Sequence, residues 1–200
     1  MGTAPAAGTV GPARAFSLAA SDGMIVPGGA NIVFSQLTIS GWLLVHSVDM
    51  ANMYSAVITR EEGDTNDDDF YLGENLGTPY TFMHTTGSSG APSGPSLTLE
   101  RWTHLSATYD GAMARFYIDG VEVENATASG DILTDAQPFD IGCGRNMATT
   151  AEGTCDSDYL DGDLDEVRIE SVPRSAAWIA YEHDAERDQV ITYGPLVAAP

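Results

Sequence analysis

The nearest approach to a catalytic carboxylate pair lies on one predicted strand, where Glu166 and Glu170 flank Arg168. Alternation along a strand places all three side chains on the same face. Retaining glycoside hydrolysis requires two carboxyl groups about 5–5.5 Å apart, one of which stays protonated near neutral pH. A guanidinium between them would lower the pKa of both carboxyls. We therefore interpret the three residues as a surface ion-pair ladder and expect no hydrolysis there.

The histidines give no other catalytic pattern. His46, His84, His104 and His183 stand in unrelated sequence contexts, and the sequence has no Gly-x-Ser-x-Gly motif of the kind that presents a nucleophilic serine. We expect no catalytic residue in this chain.

Two acidic segments have the oxygen-rich composition that suits Ca²⁺. Residues 61–69 place Asp64, Asn66 and Asp68 at alternating positions, as at the start of a calcium loop. They lack the glycine and the glutamate that an EF-hand requires at its sixth and twelfth positions. A solvated loop is therefore the alternative interpretation of that segment. Residues 156–165 form the second acidic segment.

The overall charge limits the partners of this protein. The 200 residues include 29 acidic and 8 basic side chains, all arginine, for a formal net charge of −21. Such a field repels nucleic-acid phosphates and anionic membranes and attracts cations. No apolar run approaches the ~20 residues needed to cross a bilayer, so we expect no membrane insertion. An acidic surface typical of a halophilic source is the alternative explanation of the charge.

The chain alternates short predicted strands with turns. Asp110-Gly111 and Asp119-Gly120 separate alternating segments and predict successive hairpins. Residues 15–18 and 24–26 predict an opening strand pair, and a serine in a capping position predicts a helix over 175–185. Many short strands predict a sandwich or barrel, and this length suits one domain.

Four segments resemble a known family in order and spacing. They are Leu37–Val45, Trp102–Gly111 continued by Arg115–Val123, Pro138–Gly142, and Gly162–Ile179. They resemble the laminin-G-like domains of the concanavalin A-like lectin/glucanase superfamily. The resemblance implies an all-β, antiparallel two-sheet jelly-roll sandwich with one short C-terminal helix. We expect the domain over residues 15–194, between a linker at 1–14 and a tail at 195–200.

The resemblance also implies a function. Such domains are usually extracellular or cell-surface binding modules without catalytic activity, set among other domains of a longer parent chain. We therefore expect a glycan or a surface protein as the partner. The alternative is a structural spacer or assembly module that binds no small ligand.

Related sandwiches often hold a structural Ca²⁺ where the N-terminal loop meets the last core strand. Asp165 stands at the matching place in this sequence and is the expected principal ligand. Asp22 or the Gly23 carbonyl is expected next, with Asp163 or Glu166 as a further ligand.

Aromatic side chains beside polar groups are the candidates for binding a sugar. We select Tyr80 and His84 because they border the Gly/Ser/Pro-rich loop at residues 87–95. Packing within the sheet is the alternative role of aromatic strand residues, and Trp42 and Trp102 are expected in the core.

The two cysteines, Cys143 and Cys155, are predicted to form a disulfide. An even count in a chain interpreted as extracellular favours pairing. A zinc site is disfavoured because no second Cys or His pair stands at the required spacing.

Overall fold

The computed structural model describes residues 3–27, 32–62, 67–133, 137–145 and 154–190. In these residues two antiparallel β-sheets pack face to face, and one α-helix follows the last strand. The predicted all-β sandwich with a short C-terminal helix is thereby confirmed.

The larger sheet has seven described strands. Their spatial order is β1 (Ala4–Ala7), β2 (Pro12–Phe16), β12 (Asp161–Glu170), β4 (Leu37–Ser47), β8 (Thr103–Tyr109), β9 (Met113–Ile118) and β10 (Val121–Thr127). Because β12 lies between β2 and β4, the last described strand holds the N-terminal strands in the sheet.

The smaller sheet has five described strands. Their spatial order is β3 (Met24–Val26), β11 (Phe139–Ile141), β5 (Tyr54–Glu62), β6 (Asp67–Asn75) and β7 (Thr78–Met83). A single 3₁₀ turn in the described residues, Leu18–Ala20, leads the chain from the larger sheet into β3.

The predicted hairpins of the larger sheet are present. Asp119 and Gly120 both adopt positive φ, 48° and 78°, as a turn between β9 and β10 of the primed type requires. The β8–β9 turn is held differently: the Asp110 carboxylate accepts hydrogen bonds from the main-chain N–H groups of Ala112 and Met113.

The core lies between the two sheets and is built from alternate strand residues. Leu105, Ala107 and Tyr109 of β8 face it, as their period-2 spacing predicts. From β6, Phe70 and Leu72 enter the same cluster. Val167 and Ile169 of β12 pack against this core but are only partly buried.

The N-terminal segment differs from the expected linker at residues 1–14. β1 and β2 form an antiparallel hairpin, and β2 continues into the sheet by pairing Phe16 with Gly162. Ala13 and Phe16 are buried, and Phe16 enters the core because β2 pairs with β12, which is distant in sequence. The predicted strand pair at 15–18 and 24–26 is wrong, since β2 and β3 belong to different sheets. The tail at 195–200 lies outside the described residues.

The helix α1 (Ala176–Glu186) is in the predicted place. The Ser175 hydroxyl caps it by accepting the Trp178 N–H at 3.2 Å. Ile179 is buried, whereas Trp178 and Tyr181 are 43% and 56% exposed, so the helix presents two of its large apolar side chains to solvent. The surface under the helix is polar, as described below. No helix in the described part of the chain is long and apolar enough to span a membrane.

Candidate functional site

Five ring side chains lie together on the outer face of the smaller sheet. Tyr71 and Tyr80 stack with centroids 5.1 Å apart and planes at 18°, and Tyr54 contacts Tyr80 at 6.1 Å. Phe82 contacts His84 at 5.7 Å, and Tyr71 stands opposite Phe82 in the β6–β7 register. We call these five residues the aromatic row. The two residues predicted from sequence, Tyr80 and His84, are both members of it.

The rings of the aromatic row differ in burial. Tyr71 is only 1% exposed, whereas Tyr80, Phe82 and His84 are half-buried. A Cβ added at Gly73 would approach the Tyr71 ring to 2.5 Å. The glycine therefore permits the Tyr71 ring to lie close over the strand, where it supports the Tyr80 ring.

The loop after β7 fixes the far side of the row. Its main chain continues the sheet, because Thr81 N–H donates to the Pro92 carbonyl at 3.0 Å and an isolated bridge joins Tyr80 to Ser93. The Gly/Ser/Pro-rich segment identified in the sequence is thus an ordered border of the row.

A buried ion pair adjoins the row on the same outer face. Asp140 of β11 stands opposite Thr59, and Thr59 stands opposite Tyr71. The Arg145 guanidinium donates to both Asp140 carboxylate oxygens, at 2.5 and 2.8 Å. Sequence reasoning missed this pair, although an aspartate between Phe139 and Ile141 in a buried strand was a usable signal.

Cys143 and Cys155 are joined by a disulfide, as predicted. The bridge lies beside the Asp140–Arg145 pair in sequence, and Gly144 pairs with Ser157 by main-chain hydrogen bonds. Gly23 packs directly against the two sulfur atoms. The disulfide therefore ties the loop after β11 to the approach to β12.

The residues expected to bind calcium serve separate contacts. The Asp165 carboxylate accepts the Val10 N–H at 2.9 Å, at the turn of the N-terminal hairpin. Asp163 faces His46 at 3.5 Å, and the Glu166 carboxylate bonds Arg168 at 2.6 Å.

Among the described residues, no three His, Cys, Asp or Glu side chains converge to hold a metal ion. Asp22 and Gly23, also expected as ligands, directly precede β3, and Gly23 packs against the disulfide. Asp64, Asn66 and the side chain of Asp68 lie outside the described residues. Calcium binding stays a prediction.

The Glu166–Glu170 strand does not present a carboxylate pair. A bulge separates Asp165 from Arg168 in the β12–β4 register, and Glu166 lies within it with φ of 50°. Glu170 bonds Arg174 at 2.5 Å, and this hydrogen bond holds the pKa of Glu170 below its usual range. The predicted ion pair between Glu166 and Arg168 is present, but Glu170 pairs with an arginine beyond the strand.

Helix α1 covers a polar cluster on the outer face of the larger sheet. Trp42 stacks on His183 at 5.4 Å and contacts His104 at 5.1 Å. The Trp42 indole N–H donates to Glu186 at 2.6 Å, and Arg168 forms ion pairs with Glu186 and Glu182. Trp42 is thus buried beneath the helix rather than between the sheets, and Trp102 is only half-buried.

This cluster makes the stability of the domain depend on pH. Burial, followed by electrostatic repulsion between the two neighbouring imidazoles of His104 and His183, lowers the pKa of His104 to about 3. Between the ordinary value of 6.5 and about 3, only the unfolded chain takes up this proton. We expect this group alone to lower the free energy of unfolding by about 1.4 kcal/mol per pH unit across that range.

Urea unfolding at pH 7, 6, 5 and 4 measures this effect, and His104→Gln is the control because it cannot titrate. The free energy of unfolding of the native protein should fall more steeply with decreasing pH than that of the His104→Gln variant. Parallel slopes would contradict the assignment.

The chain belongs to the Concanavalin A-like lectin/glucanases superfamily, whose laminin-G-type family model matches residues 18–180. The resemblance seen in the four sequence segments is thereby confirmed. A search of curated proteins by sequence found no match.

Solved structures share the fold at low identity. Domain 4 of AbnA, a GH43 extracellular arabinanase from Geobacillus stearothermophilus in complex with arabinotriose, is 19% identical, with a TM-score of 0.64 over 90% of this chain and 81% of that one. The binding domain of Paraclostridial Mosquitocidal Protein 1 is 14% identical, with a TM-score of 0.69 over 92% of this chain and 46% of that chain. A candidate carbohydrate-binding protein from Bacteroides ovatus is 17% identical, with a TM-score of 0.63 over 84% of this chain and 45% of that chain. The chain spans less than half of the latter two.

Proposed function

We propose that this chain is a non-catalytic binding module whose aromatic row holds a glycan. The observation that carries the proposal is the Tyr71–Tyr80 stack, in which a buried ring supports a partly exposed one on the outer face of a sheet. An aromatic ring presents a flat apolar surface to the C–H face of a sugar, and neighbouring polar groups bind its hydroxyls. In this proposal the Tyr80 hydroxyl and the His84 imidazole supply such polar contacts.

The structural neighbours support this proposal. One is a domain solved with arabinotriose, and another carries a carbohydrate-binding description. A third is the binding domain of a toxin, which is consistent with a protein receptor as the alternative partner.

The absence of catalysis is part of the proposal. Glu166 and Glu170 of β12 are engaged by Arg168 and Arg174, and the carboxylate beside the aromatic row, Asp140, is engaged by Arg145. A carboxyl group bound by a guanidinium stays ionised and does not serve as a proton donor near neutral pH.

The charge narrows the class of glycan. A net charge of −21 repels sulfated or uronate-rich chains at long range, so we propose a neutral oligosaccharide. The disulfide supports a secreted or surface-displayed location, because such bonds persist in oxidising compartments.

Replacing Tyr80 tests the proposal. The native protein should bind neutral oligosaccharides on a glycan array, and Tyr80→Ala should weaken binding at least tenfold, or about 1.4 kcal/mol. Isothermal titration calorimetry with the best array ligand measures this loss. Tyr80→Phe keeps the ring and should keep most of the affinity.

Tyr181→Ala is the matched control, since Tyr181 is an exposed tyrosine on α1, over the other sheet. It should leave binding unchanged. If no glycan on the array binds, or if Tyr80→Ala and Tyr181→Ala lose affinity equally, the proposal is overturned and a spacer or assembly module is favoured.

A further inference from the structure

The sequence contains one acceptor motif for N-linked glycosylation, Asn125-Ala126-Thr127. The motif is an asparagine followed two positions later by serine or threonine, with any residue except proline between them. None of the other five asparagines of the chain has a serine or threonine at that position. Because short motifs also arise by chance, the surroundings of these three residues decide whether the folded domain can carry a glycan there.

Asn125 and Thr127 lie on the outer face of the larger sheet, at the end of β10. Ala126, between them, stands opposite Ala114 of β9, which is buried in the core. Because side chains alternate along a strand, Ala126 points toward the other sheet, and Asn125 and Thr127 point away from it. Both are exposed. The acceptor amide and the hydroxyl of the motif thus share one accessible face.

The Asn125 amide is not enclosed by the fold. Its nitrogen Nδ2 donates to the Glu122 carboxylate at 2.9 Å, and both side chains are exposed. Water competes for a hydrogen bond of this kind, so its loss costs the domain little. The folded domain therefore accommodates a sugar on Nδ2, whether the sugar is attached before or after folding.

Helix α1 and the aromatic row both lie away from this position. The helix covers the start of β10, where Gly120 lies against Ala180 and His183. Asn125 is near the opposite end of the same strand. The aromatic row lies on the outer face of the smaller sheet, on the other side of the sandwich. A glycan on Asn125 would therefore leave the row open to its ligand.

The open edge of β10 is a second reason for a glycan here. In the described part of the chain β10 ends the larger sheet and pairs only with β9. Val121 and Val123 on this strand are 65% and 39% exposed. An open edge with exposed β-branched residues favours pairing with a second chain, and charged residues or a bulge reduce this risk. β10 has a bulge between Glu122 and Glu124, and a bulky hydrophilic glycan would add steric cover.

We propose that Asn125 carries an N-linked oligosaccharide, attached during export of the chain. The donor is a lipid-linked oligosaccharide pyrophosphate, and the catalyst is an oligosaccharyltransferase of the export pathway. Nδ2 of Asn125 attacks C1 of the first sugar, so that an N–C1 bond forms and the bond from C1 to the pyrophosphate oxygen breaks. The lipid pyrophosphate leaves, and the amide nitrogen gives one of its two protons to a base of the transferase.

Thr127 is the recognition residue of the motif, because the transferase requires a hydroxyl two positions after the asparagine. Serine supplies the same hydroxyl, whereas alanine does not. The inference rests on the proposed secreted or surface-displayed location, which the disulfide supports. It does not depend on glycan binding by the aromatic row.

Peptide mass spectrometry of the full chain, recovered from the surface or the medium of the cells that produce it, tests the proposal. We expect most copies of the peptide that contains Asn125 to have the added mass of an oligosaccharide, with fragment ions that place it on Asn125. Thiol labelling of Cys143 and Cys155 in the same sample shows whether the disulfide has formed.

Four variants produced in the same cells identify the acceptor. Asn125→Gln and Thr127→Ala should abolish the added mass, whereas Thr127→Ser keeps the hydroxyl and should keep the glycan. Asn52→Gln is the matched control, because Asn52 is an exposed asparagine with a tyrosine two positions later. This variant should be glycosylated like the native protein.

Exported protein with the disulfide formed and Asn125 unmodified would overturn the inference and leave the proposed location standing. A glycan retained in Thr127→Ala, or lost in Asn52→Gln, would also overturn it. A chain that stays inside the cells with both thiols free would overturn the proposed location, and the inference with it. The effect of Tyr80→Ala on the glycan array is independent of each of these outcomes.

Discussion

Replacing Arg60 with leucine is expected to lower the free energy of unfolding by about 3–5 kcal/mol. Arg60 is completely buried, and its guanidinium donates to the Asp69 carboxylate at 2.5 Å. It also donates to the carbonyls of Ile32 and Leu133 at 2.8 and 3.3 Å. The substitution would leave the buried Asp69 carboxylate without its guanidinium, which accounts for most of the expected loss.

Aromatic rings surround this buried arginine. The Arg60 guanidinium carbon lies 5.5–5.7 Å from the ring centroids of Phe34, Phe70 and Phe139. These contacts join three separate segments of the chain at one end of the core. Arg60→Lys should therefore also be destabilising, since a lysine has one charged nitrogen where arginine reaches three oxygens.

Chemical denaturation of a double-mutant cycle measures the Arg60 effect. Asp69→Asn removes the charge, and the double variant Arg60→Leu/Asp69→Asn should recover part of the stability lost in Arg60→Leu. A loss below 1 kcal/mol for Arg60→Leu, or no recovery in the double variant, would show that the ion pair does not hold this end of the sandwich.

Removing the disulfide is the second change with a large expected effect. The double variant Cys143→Ala/Cys155→Ala should lose about 3 kcal/mol, because the bridge closes a loop with a sequence separation of 12 and restricts the unfolded chain. Both cysteines are buried and contact Gly23, so some packing is lost as well.

Equilibrium unfolding with and without a reducing agent tests the disulfide prediction. The reductant should destabilise the native protein to nearly the level of the double variant and should leave the double variant unchanged. Equal stability of the native protein under both conditions, with reduction verified by thiol labelling, would contradict it.

Local patterns in the sequence determined the class of fold. The alternation in Leu105, Ala107 and Tyr109 predicted which face of β8 meets the core, because side chains on a strand point to opposite faces. Asp119-Gly120 predicted a hairpin because both positions tolerate positive φ. Ser175 predicted the start of α1 because its hydroxyl replaces a missing main-chain acceptor.

Part of the candidate site was also accessible from the sequence. Tyr80 and His84 were selected as ring residues bordering a loop rich in glycine, serine and proline, and both lie in the aromatic row. The partners that define the row were not accessible in the same way. Tyr71 supports Tyr80 only through the β6–β7 register, and Asp140 reaches the same face only because β11 pairs with β5.

The tertiary structure decided which distant segments meet, and this changed the interpretation of several residues. The alanine-rich N-terminus has no local strand signal and becomes a strand because β12 provides its partner. Asp165, expected to bind calcium, holds the hairpin turn at Val10. Asp49 and Glu74 are 25 residues apart and both buried, and main-chain hydrogen bonds through Met53 join the segments that carry them. Side-chain spacing along one strand is a local property of the sequence, whereas burial and charge pairing depend on the register between strands.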